Sequence, residues 1–153
     1  MTVKTEHLFD LELNVNTADK FDVGQLALGS RVVVPVSGGQ FSGPAMEGVV
    51  LPGGADWVLV EPDGSFRIDV RLNLQTSAQQ NIYMNYQGLF SASTDVLARY
   101  YAGELLDESE YYLRTSVRFE TSSEELSWLN RRVCVASGRQ TKCGVIYSVH
   151  QLL

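Results

Sequence analysis

Two stretches of this chain place charged residues at every second position. In residues 66 to 74, FRIDVRLNL, the side chains of Arg67, Asp69, Arg71 and Asn73 alternate with Ile68, Val70 and Leu72. In residues 111 to 120, YYLRTSVRFE, Tyr112, Arg114, Ser116, Arg118 and Glu120 alternate with Leu113, Thr115, Val117 and Phe119. Asp69 and Arg71 would share one face of a strand, roughly 7 Å apart along it. A carboxylate there can take a proton, and a guanidinium can stabilise the negative charge left behind. The pattern fits two settings. Facing outward, these residues are solvated cross-strand pairs worth about 0.2–1 kcal/mol each. Facing a cavity, Arg71 and Arg114 become fixed cations with Tyr86, Tyr112 and Trp128 as walls, and Asp69 is either their partner or an unpaired base.

A third candidate closes the stretch GGQFSGPAMEGVVLPGGADW, residues 38 to 57, which holds six glycines and two prolines before Asp56 and Trp57. The glycines match neither GxGxxG nor P-loop spacing. They are read as turn and strand-curvature positions at barrel corners. Asp56 is then either a proton carrier or a turn-capping carboxylate, and Trp57 either a substrate wall or core. His7 and His150 stand at opposite ends of the sequence without a clear third ligand, so no metal site is expected. No serine sits in a nucleophile elbow.

The elements that would position these residues are short runs with period-two polarity. Candidate strands are residues 7 to 15, 30 to 36, 45 to 51, 56 to 61, 66 to 74, 81 to 87, 111 to 120, 131 to 136 and 143 to 150. Pro62-Asp63-Gly64 and Ser137-Gly138-Arg139-Gln140 have turn composition, which predicts antiparallel hairpins. A turn at Gly138-Arg139 would set Cys134 opposite Cys143, as reduced thiols by default and less often as a cross-strand disulfide. Residues 95 to 106 have helical spacing through Val96, Leu97, Tyr100, Tyr101 and Leu105, interrupted by Gly103. Ser122 and Glu125 form a capping-box pattern that predicts a short helix or turn ending near Asn130. The expected fold is all-β: one small antiparallel β-barrel of about 8–10 strands with one or two short helices, occupying residues 1–153 as a single domain.

The chain has 153 residues, a hydrophobic fraction of 44% and a net charge of −6 with 12 Lys+Arg. A single core fits this size, and no basic run suggests nucleic acid. The N-terminal residues lack an apolar leader pattern, and no apolar run is long enough for a membrane helix, so a cytoplasmic location without a membrane partner is expected.

Several motifs in order carry a resemblance: GSR, GGQFSGP, GVVLPGGADW, RIDVRLNLQT, YMNYQG, FET, WLN and VIYSV. The chain resembles the family called domain of unknown function 3237, or uncharacterised protein family 0311, from about residue 7 to residue 150. The resemblance implies a compact β-barrel. Some fungal members resemble chalcone isomerases in activity, adding a phenol to an enone to close a flavanone ring. Matching positions bring across Arg31 in Gly-x-Arg, Asp56 and Trp57 in Gly-Gly-Ala-Asp-Trp, and Asp69 and Arg71 in Asp-x-Arg. They also bring Tyr86 and Gly88 in Tyr-x-Gly, and Trp128 and Asn130 in Trp-Leu-Asn. The chain departs from the family after Thr76, where relatives often have an Asp-Gly turn.

These readings converge on a cofactor-free isomerase or cyclase acting on an aromatic or polyketide-like molecule inside the barrel. Asp69, Arg71, Arg114 and Asp56 are the candidates for catalysis. Arg31, Trp57, Tyr86, Tyr112, Trp128 and Asn130 are the candidates for binding. A homodimer is compatible with this reading. The alternatives are a non-catalytic small-molecule-binding barrel and an interaction protein whose interior is solid; inward or outward orientation of the Asp69-Arg71 stripe separates them.

Overall fold

The computed structural model describes residues 2–153. Among these residues nine strands and one α-helix form, in chain order β1 (Thr5–Val15), β2 (Phe21–Leu26), β3 (Gly29–Ser42), β4 (Glu47–Val60), β5 (Phe66–Thr76), β6 (Asn81–Ala92), α1 (Thr94–Tyr101), β7 (Tyr111–Glu120), β8 (Cys134–Gln140) and β9 (Gly144–Leu152). The sheet runs β1-β9-β8-β7-β6-β5-β4-β3-β2, and β1 also pairs with β3. That last pairing closes eight antiparallel strands into a barrel and leaves β2 as an appendage of β3. Closure leaves the eight ring strands without a free edge.

Alternation decides which face is inside. Strand β7 is buried at every odd residue from Tyr111 to Phe119 and exposed at every even one. In β5 the buried set is Ile68, Val70, Leu72, Leu74 and Thr76. These side chains meet Phe9, Leu11, Phe41, Met84, Val117 and Val149 in one hydrophobic core. At one end of the barrel, Tyr100 of α1 packs against Phe66 and Phe90 with ring centroids 5.6 and 5.3 Å apart. Ser93 caps the helix by accepting from the Val96 N–H.

The glycine-rich stretch differs from its expected form. The strands expected over residues 45 to 51 and 56 to 61 merge into one, β4 (Glu47–Val60), whose pairing with β5 shifts register between Leu51 and Ala55. Residues 30 to 36 likewise run on through Gly38 and Gly39 into a 14-residue β3, which shifts register between Val36 and Gly39. Bulges absorb the mismatch and bend both strands around the barrel. Gly39 sits where β3 crosses β1, and a Cβ there would lie 2.0 Å from the Glu12 carbonyl oxygen. A side chain at this position would hold the barrel open.

Three other expectations are corrected. Residues 137 to 140 are strand rather than turn, because β8 continues to Gln140 and the hairpin reverses at residues 141 to 143. Cys134 therefore pairs with Gln151, and both cysteines are free, Cys134 buried and Cys143 exposed. Helix α1 ends at Tyr101, and Gly103 adopts φ 85° just beyond it. The short turn expected to end near Asn130 is present as a 3-10 turn over Ser127–Arg131, but the Ser122–Glu125 capping box does not form, and Glu125 accepts a hydrogen bond from Gln80 Nε2 at 2.9 Å. Strand β2 was not anticipated because Phe21, Val23 and Leu26 are all exposed and Gly24 breaks its alternation.

Candidate functional site: a cleft on the outer face of the barrel

The stripe that bears Asp69 and Arg71 points outward. Arg71 is exposed and Asp69 is partly exposed, while Ile68, Val70 and Leu72 fill the interior between them. This corrects the expectation of a chamber inside the barrel walled by Asp69, Arg71 and Arg114. The physical reason is the core itself: with aliphatic side chains on the opposite face, turning the stripe inward would put β5's apolar face in water.

The outer face nevertheless carries a cleft of about 1000 Å³. It brings together four residues picked out in the sequence, Arg31, Asp69, Tyr112 and Arg114, from β3, β5 and β7. Register explains the convergence. Arg31 pairs with Leu59, Leu59 with Arg67, Arg67 with Leu89, and Leu89 with Arg114, giving a row of alternating cation and leucine across five strands. One step along, Asp69 pairs with Gln87, Gln87 with Ser116, Ser116 with Val135, and Val135 with His150.

Each arginine in the row is held. Arg31 Nη1 donates to the Trp57 carbonyl at 2.6 Å, and Arg114 Nη1 donates to the Leu113 carbonyl at 2.8 Å. The Arg114 guanidinium also lies 5.3 Å from the Tyr112 ring centroid, within cation–π range. Arg67 pairs through Nε with Glu61 at 2.9 Å.

Behind Asp69 the β4–β5 ladder opens. Pairing stops at Asp56–Val70 and resumes at Leu59–Arg67. The Asp69 backbone N–H donates instead to Asp56 Oδ1 at 3.1 Å. The Asp56 carboxyl takes the place of a ladder carbonyl and so fixes the backbone that presents Asp69 to the cleft. Burial raises the Asp56 pKa to about 6, assisted by the neighbouring Asp69 charge and opposed by the Asp69 N–H and by Arg31. A carboxyl of this kind changes protonation close to neutral pH. Asp56 does not itself line the cleft; it shares a side of β4 with Val58, which is core.

The remaining candidates lie elsewhere. Trp57 sits beneath Arg71, whose guanidinium is 5.7 Å from the indole centroid, and neither lines the cleft. Tyr86 is buried in the core with its ring 5.0 Å from Tyr147, and burial pushes its pKa well up. Trp128 lines a small hollow of about 280 Å³ beside Pro44 and His7. Asn130 clamps a loop: its Oδ1 accepts from the Thr121 N–H at 2.8 Å, and its Nδ2 donates to the Thr121 carbonyl at 2.9 Å.

Gln87, Ser116, Ser137 and His150 of the cleft were not foreseen. Their signal exists only in the register, which sets four strands side by side. His7 and His150, distant in sequence, are cross-strand partners of β1 and β9 with ring centroids 5.0 Å apart. Burial, with His7 alongside, holds the His150 pKa below the ordinary histidine value, and its Nε2 lies 3.1 Å from Ser148 Oγ. Among the described residues no group of three or more His, Cys, Asp or Glu is arranged to hold a metal ion. Among them, too, no helix is long and apolar enough to cross a membrane.

Comparison with known proteins then places the chain. The family model described as Protein of unknown function (DUF3237) matches residues 3–152. The chain belongs to this family. DUF3237 relatives include a UPF0311 protein of Rhodopseudomonas palustris, 27% identical over 99% of this chain and 98% of the relative. A solved conserved protein of unknown function from Rhodopseudomonas palustris superposes with a TM-score of 0.94 at 27% identity, covering 100% of this chain and 99% of the other. A β-barrel-like protein from Acinetobacter baumannii is 32% identical with a TM-score of 0.87, covering 100% and 98%. An enzyme from Penicillium herquei shares the fold at 21% identity and a TM-score of 0.74, covering 100% and 96%.

Proposed function

We propose that this DUF3237 chain binds an aromatic or polyketide-like small molecule in the outer cleft and catalyses its isomerisation or ring closure without a cofactor. The observation that carries the reading is the convergence of Asp69, Arg31 and Arg114 around one concave, partly apolar surface. Conjugate addition of a phenol to an enone needs an acceptor for the phenol proton and a donor for the enolate oxygen. Asp69 supplies the first and Arg31 or Arg114 the second, and the proton taken by Asp69 returns to the α-carbon of the enolate as the ring closes. Asp69 and Arg114 stand two strands and two residues apart, about 12 Å between backbones, which leaves room between them for a substrate of two or more rings. Leu59, Leu89 and Tyr112 offer the apolar surface for those rings. Asp56 acts through Asp69 as a positioning residue.

The test is turnover of a hydroxychalcone panel, followed by loss of enone absorbance. Asp69→Asn and Arg114→Gln are each expected to lower kcat/KM by at least about tenfold. Arg71→Ala, outside the cleft, is expected to stay within about twofold. No acceleration for any member of the panel defeats the flavanone-type reaction. A second reading, binding without turnover, is favoured by one feature: the cleft lies on the outer surface, where water is not excluded.

A further inference from the structure

The chain carries a net charge of −6, yet the cleft is lined by Arg31, Arg67 and Arg114 against one carboxylate, Asp69. Nine of the twelve basic residues are arginine, and three of them share this one row. Folding has gathered cations here on a protein that is acidic elsewhere. The three cations sit on alternate strands, β3, β5 and β7, with a leucine between each pair. Arg67 is paired with Glu61, which leaves Arg31 and Arg114 as the cations open to an anion.

The donors are also unspent. Arg31 and Arg114 each use Nη1 on a backbone carbonyl, and neither is paired with a carboxylate among the described residues. Each anchor uses one nitrogen and leaves the rest of the guanidinium fork free. A planar fork held in place is the chemistry that recognises a carboxylate bidentately. Between the cations lie Leu59 and Leu89, and Tyr112 stands under Arg114. Cation, apolar lane and ring therefore alternate across the cleft.

We infer that the ligand of this cleft is an aromatic carboxylate: its anionic end is gripped by the free fork of Arg114 or Arg31, and its ring lies over the leucine lanes. The inference rests on the cleft proposed above and narrows its substrate to molecules carrying a permanent negative charge. Gln87, Ser116 and Ser137 flank the lanes with hydrogen-bonding groups for ring hydroxyls.

The experiment is isothermal titration of the purified chain with 2-naphthoate and with its neutral counterpart 2-naphthamide at low ionic strength. The carboxylate is expected to bind at least about tenfold more tightly than the amide, and that advantage should shrink as salt screens the cleft. One of the two variants Arg114→Gln and Arg31→Gln should remove most of the preference, whereas Arg71→Gln should leave it unchanged; retention of the preference in both cleft variants overturns the inference. If Arg31→Gln fails to fold for want of its link to Trp57, Arg31→Lys, which keeps the charge but not the planar fork, takes its place. Equal affinity for acid and amide overturns the inference, as does absence of binding for both up to about 10 mM. Turnover of neutral hydroxychalcones without any preference for carboxylates would defeat this inference and leave the reaction standing. Tight carboxylate binding without turnover would do the reverse.

Discussion

Asp56→Asn separates charge from hydrogen bonding at the break in the β4–β5 ladder. The amide keeps an Oδ1 that accepts from the Asp69 N–H, so the bond at 3.1 Å survives while the charge goes. In the wild-type chain the folded-state pKa of Asp56 is raised from 3.8 to about 6. Between those two values the folded protein holds a proton that the unfolded chain has already released. Stability from this group is therefore fully present below about pH 4 and is lost as pH rises through 6. Moving the pKa from 3.8 to about 6 corresponds to roughly 3 kcal/mol, which residual contact with solvent screens to about 1.5 kcal/mol. Asp56→Asn should be more stable than wild type by about this amount at pH 8 and by close to nothing at pH 4. Urea denaturation of both proteins at the two pH values measures it. An equal difference at both pH values, or a loss of stability at pH 8, would refute a desolvated carboxylate in the ladder gap.

Other consequences follow from packing. Gly48→Ala would place a Cβ 2.1 Å from the Gln75 carbonyl oxygen and 2.8 Å from the Phe41 ring. It should cost about 3 kcal/mol or more by urea denaturation, far above an ordinary surface change. Leu72→Ala, in the barrel interior at 1% exposure, should cost about 2–5 kcal/mol in the same assay. Under native conditions a thiol reagent should modify Cys143 and spare Cys134, which is buried and has its pKa pushed up by burial to about 11. Equal labelling of the two by mass spectrometry would contradict the register of β8 and β9.

Much of this structure was legible before any coordinates. Period-two alternation placed β5 and β7, and β7 matches residues 111 to 120 to the residue. Strand identity is local: which side chains share a face follows from pleating alone. The same locality misled at the glycines. Gly38, Gly39, Gly53 and Gly54 look like chain breaks, yet they lie inside strands whose bulges bend around the barrel. Composition announces that the backbone can deform, and only the neighbouring strand decides whether it turns back or bulges. The turn expected at residues 137 to 140 failed similarly: Gly138 faces Leu113 and Tyr147, which occupy the space where a side chain would sit.

For the candidate site, the residue types could be chosen from the sequence but their company could not. Arg31, Asp69, Tyr112 and Arg114 were picked out by alternation and by family resemblance, and they do share one surface. Tyr86, Trp57, Trp128 and Asn130 were picked out on the same grounds and lie elsewhere. By itself the sequence determined that β5 and β7 have one apolar and one charged face, because that is a property of each strand. Which face meets water was decided only by closure of β1 on β3, since a barrel of this width buries the aliphatic faces of eight strands together and leaves the arginine row outside.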